Sequence, residues 1–139
     1  MPETDSRPLV LLVDDEQAVV DAVSRNLRKD FRVVTACGAQ NGLRAMAAHD
    51  RFDLVMTDLH MPNIGGGEFL EILSERYPDV PRILFTGDTD PVEVDDILRS
   101  VEVYDVLFKP LETEVIRDRV RAAIEHFQTR RKLEQRFQA

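Results

Sequence analysis

This sequence predicts an α/β protein built on a doubly wound parallel sheet, and three features point there. Five short runs rich in Val, Leu, Ile and Phe alternate with five stretches whose apolar residues recur at helical spacing. The first run, LVLLV at 9–13, is continuously apolar, as strands of a sheet covered on both faces are. The strand–helix alternation itself implies parallel strands joined by right-handed crossovers.

LVLLV runs straight into Asp14, Asp15 and Glu16. Ala18, Val19, Ala22, Val23 and Leu27 then form one apolar stripe, which predicts a helix over 16–29. FRVVTA at 31–36 is rich in β-branched residues and predicts the second strand. Leu43, Met46 and Ala47 mark a helix near 39–49. FDLVMTD at 52–58 is the third strand and ends on Asp58. After the loop LHMPNIGGG, Phe69, Leu70, Ile72 and Leu73 predict a helix near 66–77. PRILFTGD at 81–88 contains the fourth strand, ending at Thr86. Asp90, Pro91 and Glu93 have the spacing of a helix start: a cap, a proline in the first position and an acid closing a capping box. VYDVLFKP at 103–110 is the fifth strand, stopped by Pro110. Val115, Ile116, Val120, Ala123, Ile124 and Phe127 line a last helix that continues to about 137, longer than a typical globular helix. The expected organisation is one domain over 1–127 and a basic helical extension or linker over 128–139.

With 139 residues the chain suits one full-sized core. Its net charge of −8 is unevenly spread: residues 128–139 carry four bases against one acid, net +3, leaving −11 on the rest. Such a body disfavours nucleic acid or an anionic membrane as its main partner. No apolar run approaches the roughly 18 to 20 residues a bilayer requires. The start, MPETDSRP, lacks a signal-peptide layout, so a cytoplasmic protein is expected. Cys37 is the single cysteine, which rules out an internal disulfide.

In an open parallel sheet, functional groups gather at the carboxyl ends of the strands. Here those ends carry Asp14 and Asp15, Asp58, Thr86 and Lys109. Clustered carboxylates repel, and burying them is costly without a neutralising cation. The set suits Mg²⁺, which uses one or two carboxylates, keeps several waters and shares a phosphate oxygen. Lys109 adds positive charge from the opposite side. The chemistry this arrangement points to is phosphoryl transfer to a carboxylate, performed by positioning and charge neutralisation. Taken singly, Asp15 reads as a helix cap, Asp58 and Thr86 as turn residues and Lys109 as a solvated lysine. Their coincidence at successive strand ends argues for a site.

The stretches LLVDDE, VMTDLHMPNIGG, ILFTGD and LFKP, in this order, resemble the response-regulator receiver domains of two-component signalling. The spacings are 44 residues from Asp14 to Asp58, 28 from Asp58 to Thr86 and 51 from Asp58 to Lys109, and the match covers 9 to about 127. The resemblance implies a flavodoxin-like three-layer (βα)5 sandwich with strand order 2-1-3-4-5. It implies that Asp58 takes a phosphoryl group from a sensor histidine kinase or phosphotransfer protein. Asp14, Asp15, Asp58 and the backbone carbonyl of His60 would hold Mg²⁺. Thr86 and Lys109 would contact the phosphoryl group, and a cis peptide would join Lys109 to Pro110. The His60 side chain and Asp88 would sit where the phosphoryl group's loss is modulated. Phosphorylation would switch the surface of the fourth helix, fifth strand and fifth helix. That switch would control a downstream output domain, or a homodimer formed through this surface or the C-terminal helix.

Two departures stand out. The family places an aromatic residue three positions before the lysine, where this chain has Val106; Tyr104 and Phe108 share its face and are candidates to substitute. RSVEVYDV lacks the usual small-residue turn, which predicts a short or displaced fourth helix. A dehalogenase-like phosphatase would need an Asp-x-Asp pair, which Asp14-Asp15-Glu16-Gln17 does not supply. A flavin binder would need a phosphate-cradling loop where these acids repel phosphate. The remaining alternative is a receiver-like interaction module that is never phosphorylated, against which Asp58 and Lys109 argue.

Overall fold

The computed structural model describes residues 5–49, 51–87 and 91–137. Five strands, β1 (Leu9–Asp14), β2 (Arg32–Cys37), β3 (Leu54–Thr57), β4 (Arg82–Thr86) and β5 (Asp105–Phe108), pair in parallel in the order β2-β1-β3-β4-β5. Helices α1 (Gln17–Leu27), α2 (Ala39–Ala48), α3 (Gly66–Arg76), α4 (Pro91–Ser100) and α5 (Thr113–Phe137) connect and cover them. This is the flavodoxin-like receiver architecture expected from the sequence.

The continuous apolar strands have the cause anticipated: both faces of the sheet are covered. Alternation divides each strand between them. Val10, Leu12, Leu54, Met56, Ile83, Phe85 and Leu107 pack with Val20, Leu27, Ile116, Val120 and Ile124 of α1 and α5. Leu11, Val13 and Val55 pack with Met46, Phe69 and Leu73 of α2 and α3. Leu84 turns toward Val94, Ile97 and Val101, joined by Leu70 and the half-buried Val106. With ten residues, α4 equals α2 in length and is not shortened. Asp88 and Asp90 lie outside the described residues, as does the side chain of Pro91.

Strand ends differ from the sequence expectation by a few residues. Phe52 and Asp53 precede β3 because Asp53 is occupied elsewhere: its carboxylate accepts the Leu9 N–H at 2.8 Å and its own N–H donates to the Leu9 carbonyl. Val103 and Tyr104 precede β5, although the Tyr104 N–H still reaches the Arg82 carbonyl at 2.8 Å. Arg82 is a buried cation at the start of β4. It donates to the carbonyls of Glu102 and Val80 at 3.0 and 3.1 Å, tying the α4–β5 loop to the α3–β4 loop. Burial lowers its pKa, opposed by the charge on Glu102.

In α5, Ile116, Val120, Ala123 and Ile124 are buried. Beyond Ile124 none of its described residues is. Its 25 residues span about 37 Å, so the last turns project past the sheet. Arg130 lies at that departure, its guanidinium over the Phe127 ring and 3.8 and 3.7 Å from Glu102 and Glu134.

α3 approaches the end of β3 closely. The Gly66 N–H donates to the Leu59 carbonyl at 2.7 Å. A Cβ on Gly66 would lie 2.2 Å from the Asp58 carbonyl oxygen and 2.7 Å from Leu59 Cα, so only glycine fits. At Gly67 a Cβ would meet nothing closer than Ile97 Cγ1, at 3.4 Å. Gly66→Ala is therefore expected to cost about 2 kcal/mol or more in urea denaturation, while Gly67→Ala stays within about 1 kcal/mol of the parent. Equal effects at the two positions would contradict this account.

Candidate functional site

The carboxyl ends of β1, β3, β4 and β5 meet at one edge of the sheet. Asp14 is the last residue of β1, Asp58 follows β3, Thr86 closes β4 and Lys109 follows β5. Each occupies its place because the strand beneath it is anchored by apolar residues on both faces. Alternation puts Asp14, Asp58 and Lys109 on the face that Leu12, Met56 and Leu107 direct toward α1 and α5.

Asp14, Asp58 and Thr86 are buried, whereas Asp15 is exposed. Oxygens of Asp14, Asp15 and Asp58 lie within 4.8 Å of one another. The Lys109 ammonium enters this cluster, donating to Asp14 Oδ2 at 2.7 Å and to Asp58 Oδ2 at 3.3 Å. It also lies over the Phe85 ring, 5.5 Å from the centroid. The second oxygens are held by backbone: Asp14 Oδ1 accepts the Glu16 N–H at 3.0 Å, and Asp58 Oδ1 accepts the Leu59 N–H at 2.7 Å. The N-cap of α1 is Glu16, which makes no side-chain cap bond, so Asp15 is not the capping residue. The Lys109–Pro110 peptide is cis.

The electrostatics follow from this crowding. Burial, and then the charge on Asp14, push the Asp58 carboxyl above its ordinary value; Lys109 and the Leu59 N–H oppose them without prevailing. Burial alone would lower Lys109, but its hydrogen bond to Asp14 and the charges of Asp58 and Asp14 outweigh that and raise it. One ammonium among three carboxylates leaves the cluster short of positive charge. Hard oxygen ligands, partly exposed through Asp15, suit a divalent cation such as Mg²⁺.

Beside the cluster a groove of about 740 Å³ opens between α3 and α4, lined by Asp15, His60, Gly66, Glu93 and Ile97 among others. His60 Nε2 lies 3.5 Å from Glu93 Oε2 across it. His49 and His126 are on other elements, where they stack on Phe52 and Tyr104. Val106 packs toward α4. Of the two aromatics on its strand face, Phe108 is paired in register with Thr86, while the Tyr104 ring lies against His126 and Phe127 at the far end. Sequence reasoning does not find Phe85, reads Glu93 only as a helix-start acid, and reads Gly66 only as a residue of a tight turn. Strand alternation alone could find Phe85, two residues before the position opposite Lys109; the contacts of the other two depend on other elements.

Comparison with known proteins agrees with this geometry. The response regulator receiver domain family matches residues 10–121. The hydrogenase transcriptional regulatory protein HoxA of Cupriavidus necator is 34% identical over 122 residues, covering 88% of this chain and 25% of that protein. This chain spans about a quarter of the length of such curated relatives. Among solved structures, the signal receiver domain of an HD domain-containing protein from Pseudomonas fluorescens superposes with a TM-score of 0.82 at 29% identity. That match covers 88% of this chain and 98% of the other. A BeF3-activated DrrB receiver domain superposes with a TM-score of 0.77 at 25% identity, covering 86% and 98%. No helix among the described residues is long and apolar enough to cross a membrane. This chain therefore belongs to the response regulator receiver domain family.

Proposed function

We propose that this receiver accepts a phosphoryl group on Asp58, in a reaction that depends on Mg²⁺, and relays that event to a partner or output domain. The observation that carries the reading is the Lys109 ammonium bridging Asp14 and Asp58 beside the exposed Asp15. Receiver domains are signalling modules rather than enzymes in the ordinary sense, and work with histidine kinases and output domains. The donor here is a sensor histidine kinase or a phosphotransfer protein on the cytoplasmic side. An oxygen of Asp58 attacks phosphorus, the P–N bond of the phosphohistidine breaks, and the imidazole leaves with its electron pair. Asp14, Asp15, Asp58 and the His60 carbonyl would hold Mg²⁺, which when bound neutralises charge gathering on the phosphoryl oxygens. The Lys109 ammonium shifts toward a phosphoryl oxygen, and the Thr86 hydroxyl donates to another. Their rearrangement biases the surface of α4, β5 and α5. The likeness to a receiver domain described as BeF3-activated is in keeping with a site of this type.

We further assign residues 1–127 to the receiver and 128–139 to a basic helical extension that promotes dimerisation or links to an output domain. Its support is the absence of buried residues beyond Ile124 among the described ones and the exposed Leu133 and Phe137, with the net +3 charge of that stretch.

The protein incubated with Mg²⁺ and acetyl phosphate should gain the mass of one phosphoryl group. The adduct should need Mg²⁺ and be absent in Asp58→Asn. If neither acetyl phosphate nor a histidine kinase labels the parent, the unphosphorylated interaction module becomes the better reading.

Asp58 also makes a pH prediction. Its folded pKa lies above the unfolded value of 3.8. Its favourable contribution is therefore complete below pH 3.8 and lost as pH rises through the folded value. The urea midpoint of Asp58→Asn should gain on the parent over that rise, and Mg²⁺ should narrow the gap by binding the parent more tightly. A gap that is constant across the window would refute the assigned strain.

Deletion after Phe127 should shift the sedimentation behaviour toward monomer. An unchanged oligomeric state would remove dimerisation from the extension's roles.

A further inference from the structure

We propose that Phe85 is a positioning residue for phosphoryl transfer. Its ring face holds the Lys109 ammonium at the carboxylate cluster whichever oxygen the ammonium is paired with. The inference rests on the role given to Lys109 above. Phe85 pairs in register with Leu107 and Thr86 with Phe108, so two-residue alternation brings Phe85 and Lys109 out on one face. The ammonium lies over the ring at 5.5 Å from its centroid, within the range of cation–π attraction. Gly87 flanks the lysine stem: a Cβ there would sit 3.9 Å from Lys109 Cδ, in ordinary contact. Phe85 is 4% exposed and packed into the cluster formed with α1 and α5, which keeps the ring from turning away.

The ring does something the carboxylates cannot. Asp14 and Asp58 hold the ammonium at 2.7 and 3.3 Å, and both are themselves the oxygens that a divalent cation or a phosphoryl group would claim. Once either is claimed, that attraction changes. The ring face is untouched by the reaction and attracts a cation without demanding one hydrogen-bond direction. An aliphatic side chain would fill the same space and lack this attraction.

The test replaces Phe85 with phenylalanines carrying one, two and five ring fluorines, which withdraw π density with little change of shape. Mg²⁺-dependent phosphorylation by acetyl phosphate, read by intact mass, should slow stepwise. The pentafluoro ring should bring it to roughly three- to tenfold below the parent. In a Lys109→Ala background the series should have no further effect. Equal rates across the series, or an equal decline without Lys109, would overturn the proposal, because a purely structural role does not follow ring charge. A second readout stands apart from phosphorylation. The Lys109 ε-methylene protons should show an upfield ring-current shift that Phe85→Met removes, and absence of that shift overturns the placement of the ammonium. If the parent takes up no phosphoryl group from any donor, the reading of the site fails instead, and the lysine resonances decide the placement alone.

Discussion

Three carboxylates whose oxygens lie within 4.8 Å of one another, two of them buried, cannot share a sheet edge without a cation, and Lys109 is the cation the chain itself provides. Much of the surrounding structure can be traced to this requirement. Lys109 has to reach across from the far side of β4 and β3 to Asp14, 95 residues away in sequence, so β5 must be held in register with β4. Asp58 has to be withdrawn from water while keeping an oxygen accessible, and the Leu59 N–H and the close packing of Gly66 fix it in that position. The result is a carboxylate that is partly, not fully, compensated. That state favours binding of a further cation and reaction with an electrophile.

The scaffold serves this site by being rigid below it. Each strand sends alternate residues into two separate apolar layers, so no strand can slide by one residue without exposing its whole core face. Hydrogen bonds at the opposite edge of the sheet reinforce the frame. Among the described residues no carboxylate is bonded to Arg82, yet its three-way engagement of backbone carbonyls joins the loops that precede β4 and β5. Glu102 belongs to the same junction: its carbonyl accepts from Arg82 and its carboxylate faces Arg130 at the departure of α5. The buried body and the projecting helix are thereby connected through one loop.

On the α4–β5–α5 surface Leu98 and Phe108 are exposed, and Val106 stands where the receiver resemblance leads one to expect an aromatic ring. Asp105 receives two hydrogen bonds from Arg119 of α5, at 2.5 and 2.6 Å, so β5 and α5 are linked on the surface as well as beneath it. An element held by a surface ion pair and a modest apolar contact is easier to shift than the doubly covered centre of the sheet. This contrast supports the proposal that the switching surface lies here.

Much of this was legible in the sequence. Continuous apolar runs alternating with helical stripes specify five parallel strands and five helices, because only burial on both faces tolerates such runs. The acids, the threonine and the lysine could be recognised as strand-terminal residues, since the strand ends are visible as the end of an apolar run. Lys109 is the clearest case: its position next to Pro110 marks it as terminal without any structure. Which groups touch could not be read this way. Whether Lys109 pairs more closely with Asp14 or Asp58, that Phe85 lies under its ammonium, that His60 faces Glu93, and that a single Cβ at position 66 would collide with the backbone of Asp58 all depend on distances between elements. Local sequence determines what each segment can bury; the separation between segments is decided only when all five strands and their helices pack at once.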